Sequence, residues 1–171
     1  MGVVFEVAED NSYIKIVALE ESDTVLKFDN GWLDTSDASY FSSENDGLEN
    51  YRGLEEVIEF YAQNYDCDIS GFPAADFCYN YYVLSFEDET WYLPAINELI
   101  SIVQTNFEQI NNAIQSVNGT KIVDDRGYWS STMIEDTEKV YYCTNTTSDR
   151  QNQSKTTACN VRPIATITLS E

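Results

Sequence analysis

The sequence predicts an α+β domain, and three observations predict it. Apolar, β-branched runs stand at both ends of the chain, and between them apolar residues recur at steps of three and four. The length of 171 residues, 43% of them hydrophobic, suits one packed core. A chain of this size buries roughly 70% of the surface its extended form exposes. The 13% aromatic content, 12 Tyr included, separates it from a disordered acidic tail.

"GVVFEVAEDNSYIKIVAL" reads as a β-hairpin, Val3 to Val7 and Tyr13 to Leu19, with Glu9-Asp10-Asn11-Ser12 as the turn. The stretch from Glu20 to Asn45 is polar and without sustained period, so it reads mostly as loop, held down by Val25, Leu26, Phe28 and Trp32. From Asp46 a helix follows, with Leu48, Tyr51, Leu54, Ile58, Tyr61 and Tyr65 on one face and Asp46 with Glu49 spaced as a capping box. Pro73 opens a shorter helix lined by Ala74, Phe77, Cys78 and Tyr81, ending between Asn80 and Tyr82. Pro94 suits the first position of a third helix carrying Ile96, Leu99, Ile100 and Val103. Thr105 and Glu108 form a second capping box, which restarts a helix lined by Phe107, Ile110, Ile114 and Val117 and stopped by Gly119. "GYWSST" at 127–132, "KVYYCTNT" at 139–146 and "TTACNVRPIATITL" at 156–169 then read as strands.

Composition excludes several functions. With 30 acidic against 9 basic residues the formal charge is −21, which opposes phosphate backbones and anionic lipid heads, so no nucleic acid is expected as partner. No apolar run approaches the roughly 20 residues of a membrane span, so no membrane insertion is expected. Met1-Gly2 leads into the first strand without a basic, apolar leader, which reads as a mature domain. There is no histidine, which rules out Ser-His-Asp and Cys-His nucleophiles. The four cysteines, Cys67, Cys78, Cys143 and Cys159, lack CxxC spacing. If oxidised, proximity along the chain favours Cys67 with Cys78 and Cys143 with Cys159 and an oxidising compartment; the other reading is four reduced thiols.

Four pieces occur in one order: "GVVFEVAEDN", "WYLPAINEL", "GYWSST" and "NVRPIA". With "DGLEN" at 46–50 and the Cys78 helix, that order resembles the Fib-succ-major paralogous domain family and the related Lcl C-terminal domains, which share a C-type lectin-like fold. The resemblance covers nearly the whole chain. It implies that Val3 to Val7 lies beside Ile164 to Leu169, and that "WYLPAINEL" is the hinge between helices and β-region. Physical chemistry agrees on the second point. Trp and Tyr bury about 150–250 Å² each and need partners for their polar tips, which suits an anchor at a strand-to-helix corner. Trp91, Tyr92, Leu93, Pro94, Glu98, Trp129 and Arg162 are therefore read as structural. The chain departs from the family at Cys67, Cys143 and Cys159 and over residues 20–45.

The EPN, QPD and WND triplets of calcium-dependent lectins are absent, so that sugar site is not carried over. Asp124 with Asp125, and Glu135, Asp136 and Glu138, are oxygen clusters that read as solvated turns; no metal and no cofactor is expected. Glu98 is read as accepting from a backbone N–H or pairing with Arg162, and Arg162 as satisfying buried acceptors or a carboxylate. The working surface is expected within Thr132 to Asn160, through Tyr142, Asn145, Thr147, Asp149, Arg150, Asn152 and Lys155. The reading is a non-enzymatic recognition module for a glycan or protein ligand on a bacterial surface or appendage. Two alternatives stand beside it: a structural or assembly domain, and an enzyme related to the formylglycine-generating group. The enzyme would need Cys143 and Cys159 in a cleft with a lowered pKa.

Overall fold

The computed structural model of the chain describes residues 2–81, 90–123, 126–147 and 149–169. It has the α+β architecture the sequence predicts, with antiparallel sheets and helices between the terminal strands.

Strands β1 (Gly2–Val7) and β2 (Tyr13–Ala18) form the opening hairpin. Its turn is stabilised by Asp10, whose carboxylate accepts the Ser12 N–H at 3.0 Å, and by Asn11 in the left-handed region at φ 57°. Residues 20–45 are more ordered than the sequence suggests. They hold β3 (Leu26–Lys27) and a 3₁₀ helix, Thr35–Phe41, capped reciprocally: Asp34 accepts the Ser36 N–H at 2.7 Å and Asp37 accepts the Asp34 N–H at 2.9 Å.

Helix α1 (Gly47–Ala62) is capped by Asp46, which accepts the Leu48 N–H at 3.0 Å. Its buried face is Gly47, Asn50, Gly53, Leu54 and Val57, so it is turned from the expected aromatic stripe. Tyr51 and Tyr61 are half-buried, and Tyr65 lies past the helix end at 60% exposure. The rotation follows from small residues: a Cβ on Gly53 would collide with the Tyr40 carbonyl, so only glycine allows the 3₁₀ helix to lie this close.

Helix α2 (Pro73–Tyr79) starts on its proline and ends at the Asn80 cap; Tyr82 lies outside the described residues. Strand β4 (Trp91–Tyr92) precedes α3 (Ile96–Ile100), which begins after Ala95 and not at Pro94. A π-helical turn, Ser101–Thr105, closed by the Asn106 N–H on the Ser101 carbonyl, leads into α4 (Phe107–Ser116). The expected Thr105 cap is therefore not used; Asn106 holds that position. At the far end Asn118 takes the left-handed conformation at φ 61° and the Gly119 N–H reaches back to the Ile114 carbonyl.

Strands β5 (Tyr128–Met133), β6 (Lys139–Cys143) and β7 (Gln151–Ser154) make one antiparallel sheet. The short β8 (Ala158–Cys159) pairs with β3, and β9 (Ile164–Thr168) returns to the first sheet, ordered β1-β2-β9-β4. The two chain ends thus share a sheet. Contact runs through the second hairpin strand, Val17 opposite Ile164, so Val3 to Val7 forms the sheet edge and does not lie beside β9.

Candidate functional site

The corner at residues 91–98 is sealed. Its first three side chains enter three different apolar clusters: Trp91 packs with Ile16, Ala18 and Ala165, Tyr92 with Val17, Leu99 and Ile164, and Leu93 with Phe28, Phe41, Phe72 and Trp129. The Tyr92 hydroxyl bonds to Thr166 Oγ1, while Trp91 Nε1 finds no acceptor among the described residues. Pro94 is buried, and its carbonyl accepts the Ser131 N–H at 2.8 Å. The Ile96 N–H donates to Thr132 Oγ1 at 3.0 Å, so the corner is stitched to β5 by backbone as well as by packing.

Glu98, 3% exposed, occupies the centre of this corner. Its Oε2 accepts the Ala95 N–H at 2.8 Å and the Gly47 N–H at 3.0 Å; its Oε1 lies 2.5 Å from Lys15 Nζ. One carboxylate thereby satisfies the first N–H groups of α1 and of the α3 entry, where helix dipoles favour negative charge. The partner is Lys15, itself 6% exposed, and not Arg162. Burial pushes the Glu98 carboxyl up against the pull of Lys15 and the two N–H groups. Burial would lower the Lys15 ammonium, but Glu98, with Glu6 and Asp46, lifts it above its ordinary value.

Arg162, 1% exposed, donates to the Ala18 carbonyl at 3.1 Å, the Thr120 carbonyl at 2.9 Å and Glu21 Oε2 at 2.8 Å. The same Glu21 oxygen accepts the Tyr128 hydroxyl at 2.7 Å. Trp129 is fully buried, donates from Nε1 to the Leu26 carbonyl at 2.8 Å, and meets Phe28 and Tyr142 edge-on.

The structure divides the seven surface residues expected from sequence. Alternation in the β6–β7 ladder puts Tyr142 on the same face as Val140 and Trp129, against one apolar cluster, and Tyr141 on the other face, opposite exposed Asn152 and half-buried against the cluster that holds Cys143. The Arg150 guanidinium lies 5.2 Å over the Tyr141 ring and pairs with Glu44. Asp149 is exposed; Asn145 and Thr147 are half-buried. The Thr147 carbonyl accepts from Gln104 Nε2 at 2.7 Å, which ties the loop to the π-turn.

Lys155 does not belong to this face. It is 2% exposed, its ammonium lies 2.9 Å from Asp29 Oδ2 and donates to the Leu33 carbonyl, and Asp29 in turn accepts the Trp32 N–H at 2.9 Å. The lysine fastens the 20–45 segment to the β7–β8 turn. Of the seven, Asp149, Arg150 and Asn152 are the exposed ones, and Arg150 brings in Tyr141 and Glu44, which are not among the seven.

All four cysteines are free and buried. Burial pushes the Cys143 and Cys159 thiols up to about 12, the opposite of the lowered value a reactive pair needs. Asp124 and Asp125 lie outside the described residues, and Glu135, Asp136 and Glu138 are exposed around the β5–β6 turn, where Asp136 sits at φ 57°. Among the described residues no three acidic or cysteine side chains converge as metal ligands, and no helix is long and apolar enough to cross a membrane.

No protein-family model matches the chain, and no curated protein matches it. Among solved structures it is similar to a fimbrial protein from Bacteroides ovatus, with a TM-score of 0.57 at 17% identity over 92% of this chain. The chain spans 37% of that protein's length. At this identity the likeness speaks for a shared fold.

Proposed function

We propose that the chain is a non-enzymatic recognition module of a bacterial surface appendage, engaging a glycan or protein ligand through the exposed side of β6 and β7. One observation carries this reading: Arg150 stacked on Tyr141, beside exposed Asn152, on a sheet whose opposite side is closed by buried Trp129. Arg and Tyr deliver contact area and hydrogen bonds at low ordering cost when their backing is rigid. The likeness to a fimbrial protein supports the appendage setting. The order of the four sequence pieces, together with the N-terminal hairpin against the C-terminal strand, supports a C-type lectin-like domain of the Fib-succ-major type.

The test is a combined glycan and protein array probed with the wild-type chain and with Arg150→Ala and Asn152→Ala. Binding reduced at least tenfold by either variant, with unchanged melting, supports the reading. A chain that binds nothing fits the second reading, a structural or assembly domain, which the match to about a third of a larger fimbrial protein favours.

A further inference from the structure

A cleft of about 360 Å³ opens beside the corner, within the roughly 300–1,000 Å³ range of small-ligand sites. Its floor is the Lys15–Glu98 pair, and Glu6, Tyr13, Asp46 and Asn97 contribute to its walls. The Lys15 side chain is 8% exposed, with Nζ 2.5 Å from Glu98 Oε1 and 3.7 Å from Glu6 Oε1. An ammonium carries three donors, and Glu98 takes one of them at hydrogen-bond distance. The other two have no partner at hydrogen-bond distance among the described residues; Glu6 Oε1 lies at 3.7 Å and the Tyr13 ring centroid at 5.7 Å. Tyr13 donates to Glu6 Oε1 at 3.1 Å, and Asn97 Nδ2 donates to Asn45 Oδ1 at 2.8 Å, which leaves the Asn97 carbonyl oxygen and the Asn45 amide with bonding capacity.

Resting on the recognition reading above, we propose that this cleft is the specificity subsite of the same surface and takes a saccharide residue without acidic groups. A hydroxyl is both acceptor and donor, so one sugar hydroxyl can accept from Lys15 while donating to Glu6, and its neighbour can reach Asp46 or Asn97. The half-buried Tyr13 ring offers an apolar wall for the C–H side of a pyranose. Three carboxylates against one ammonium repel carboxylated and sulfated sugars, which would bury like charges together. Glu44 links the cleft to the outer face: its carbonyl accepts the Asn97 N–H at 2.9 Å, and its side chain pairs with Arg150. A glycan chain seated with its end in the cleft would run across Glu44 onto Arg150 and Tyr141.

The experiment is a glycan array of neutral, amino, uronic, sialylated and sulfated saccharides, run beside a protein array. The chains probed are wild type, Asn97→Ala and Glu6→Gln in the cleft, and Arg150→Ala on the face. Asn97 is exposed and Glu6 half-buried, so both variants are expected to fold, as a melting curve checks; Lys15→Met would disturb the corner and is not needed. The expected result is binding confined to neutral or amino saccharides, weakened at least tenfold by each of the three variants. Saccharide binding lost in Arg150→Ala but intact in both cleft variants overturns the subsite and leaves the recognition face standing. Binding confined to acidic glycans, or to proteins alone, likewise overturns the subsite only. Absence of binding to both arrays overturns the subsite together with the recognition reading.

Discussion

Replacing Glu98 by Gln probes the corner where its energetics are most concentrated. Glutamine preserves an acceptor oxygen for the Ala95 and Gly47 N–H groups but removes the charge opposite Lys15, whose ammonium is 2.5 Å away and 6% exposed. Breaking a buried pair by removing one of its charges costs about 3–5 kcal/mol, and Glu6 Oε1, 3.7 Å from the Lys15 ammonium and itself half-buried, offsets only part of that. For a chain of this length each kcal/mol lowers the melting temperature by about 2–4 °C, so Glu98→Gln is expected to melt about 6–20 °C below wild type. Urea unfolding should show the same loss as a lower midpoint with an unchanged slope, since the surface exposed on unfolding stays the same. Adding Lys15→Met removes the stranded cation. The double variant is therefore expected to recover about 2 kcal/mol or more over the sum of the single changes, the sign of a coupled pair. Additive losses, or a Glu98→Gln chain within about 0.5 kcal/mol of wild type, would refute the reasoning.

Alkaline pH is a second lever. The Cys143 and Cys159 thiols are held at about 12 against an ordinary value of 9. Between those values the unfolded chain binds fewer protons than the folded one, so stability is full below pH 9 and is lost as pH rises toward 12, by up to about 4 kcal/mol per thiol; urea midpoints measured from pH 8 to 11 should fall, and a flat profile would contradict the burial. Iodoacetamide at pH 8 should leave all four cysteines unmodified in the native chain and label all four in urea, as intact mass reports. Gly53→Ala should destabilise by about 1–3 kcal/mol, because the added methyl meets the Tyr40 carbonyl, whereas helix propensity alone would make it stabilising by up to about 1 kcal/mol. The sign of its urea midpoint shift decides between the two.

The legible parts of the fold were those written in local pattern. The hairpin, α1, α2 and the terminal strand showed their period and caps, and the Trp91–Pro94 cluster announced burial by bulk alone. The capped 3₁₀ helix at Thr35–Phe41 had a signal, Asp34 three residues before Asp37, obscured by the polar composition around it. Lys15 and Lys155 had none. Each looks like a surface cation until the fold brings up Glu98, 83 residues away, or Asp29, and no local pattern encodes such a pairing. Tyr141 and Tyr142 posed a different problem. Strand period separates their faces but does not say which is covered, and buried Val140 and Cys143 flank the pair on opposite faces. Which of the seven expected side chains reach solvent was therefore not legible, because it depends on how Trp129 packs against Tyr142.

Native-state hydrogen exchange at the Ala95, Ile96 and Ser131 amides tests the central claim most directly, because these N–H groups join the corner to Glu98 and to β5. If the corner is the sealed support of the outer face, all three exchange only through global unfolding, with a free energy equal to that from urea. Exchange at these amides through a local opening, several kcal/mol below the global value, would mean that the corner moves independently and does not hold the face in place.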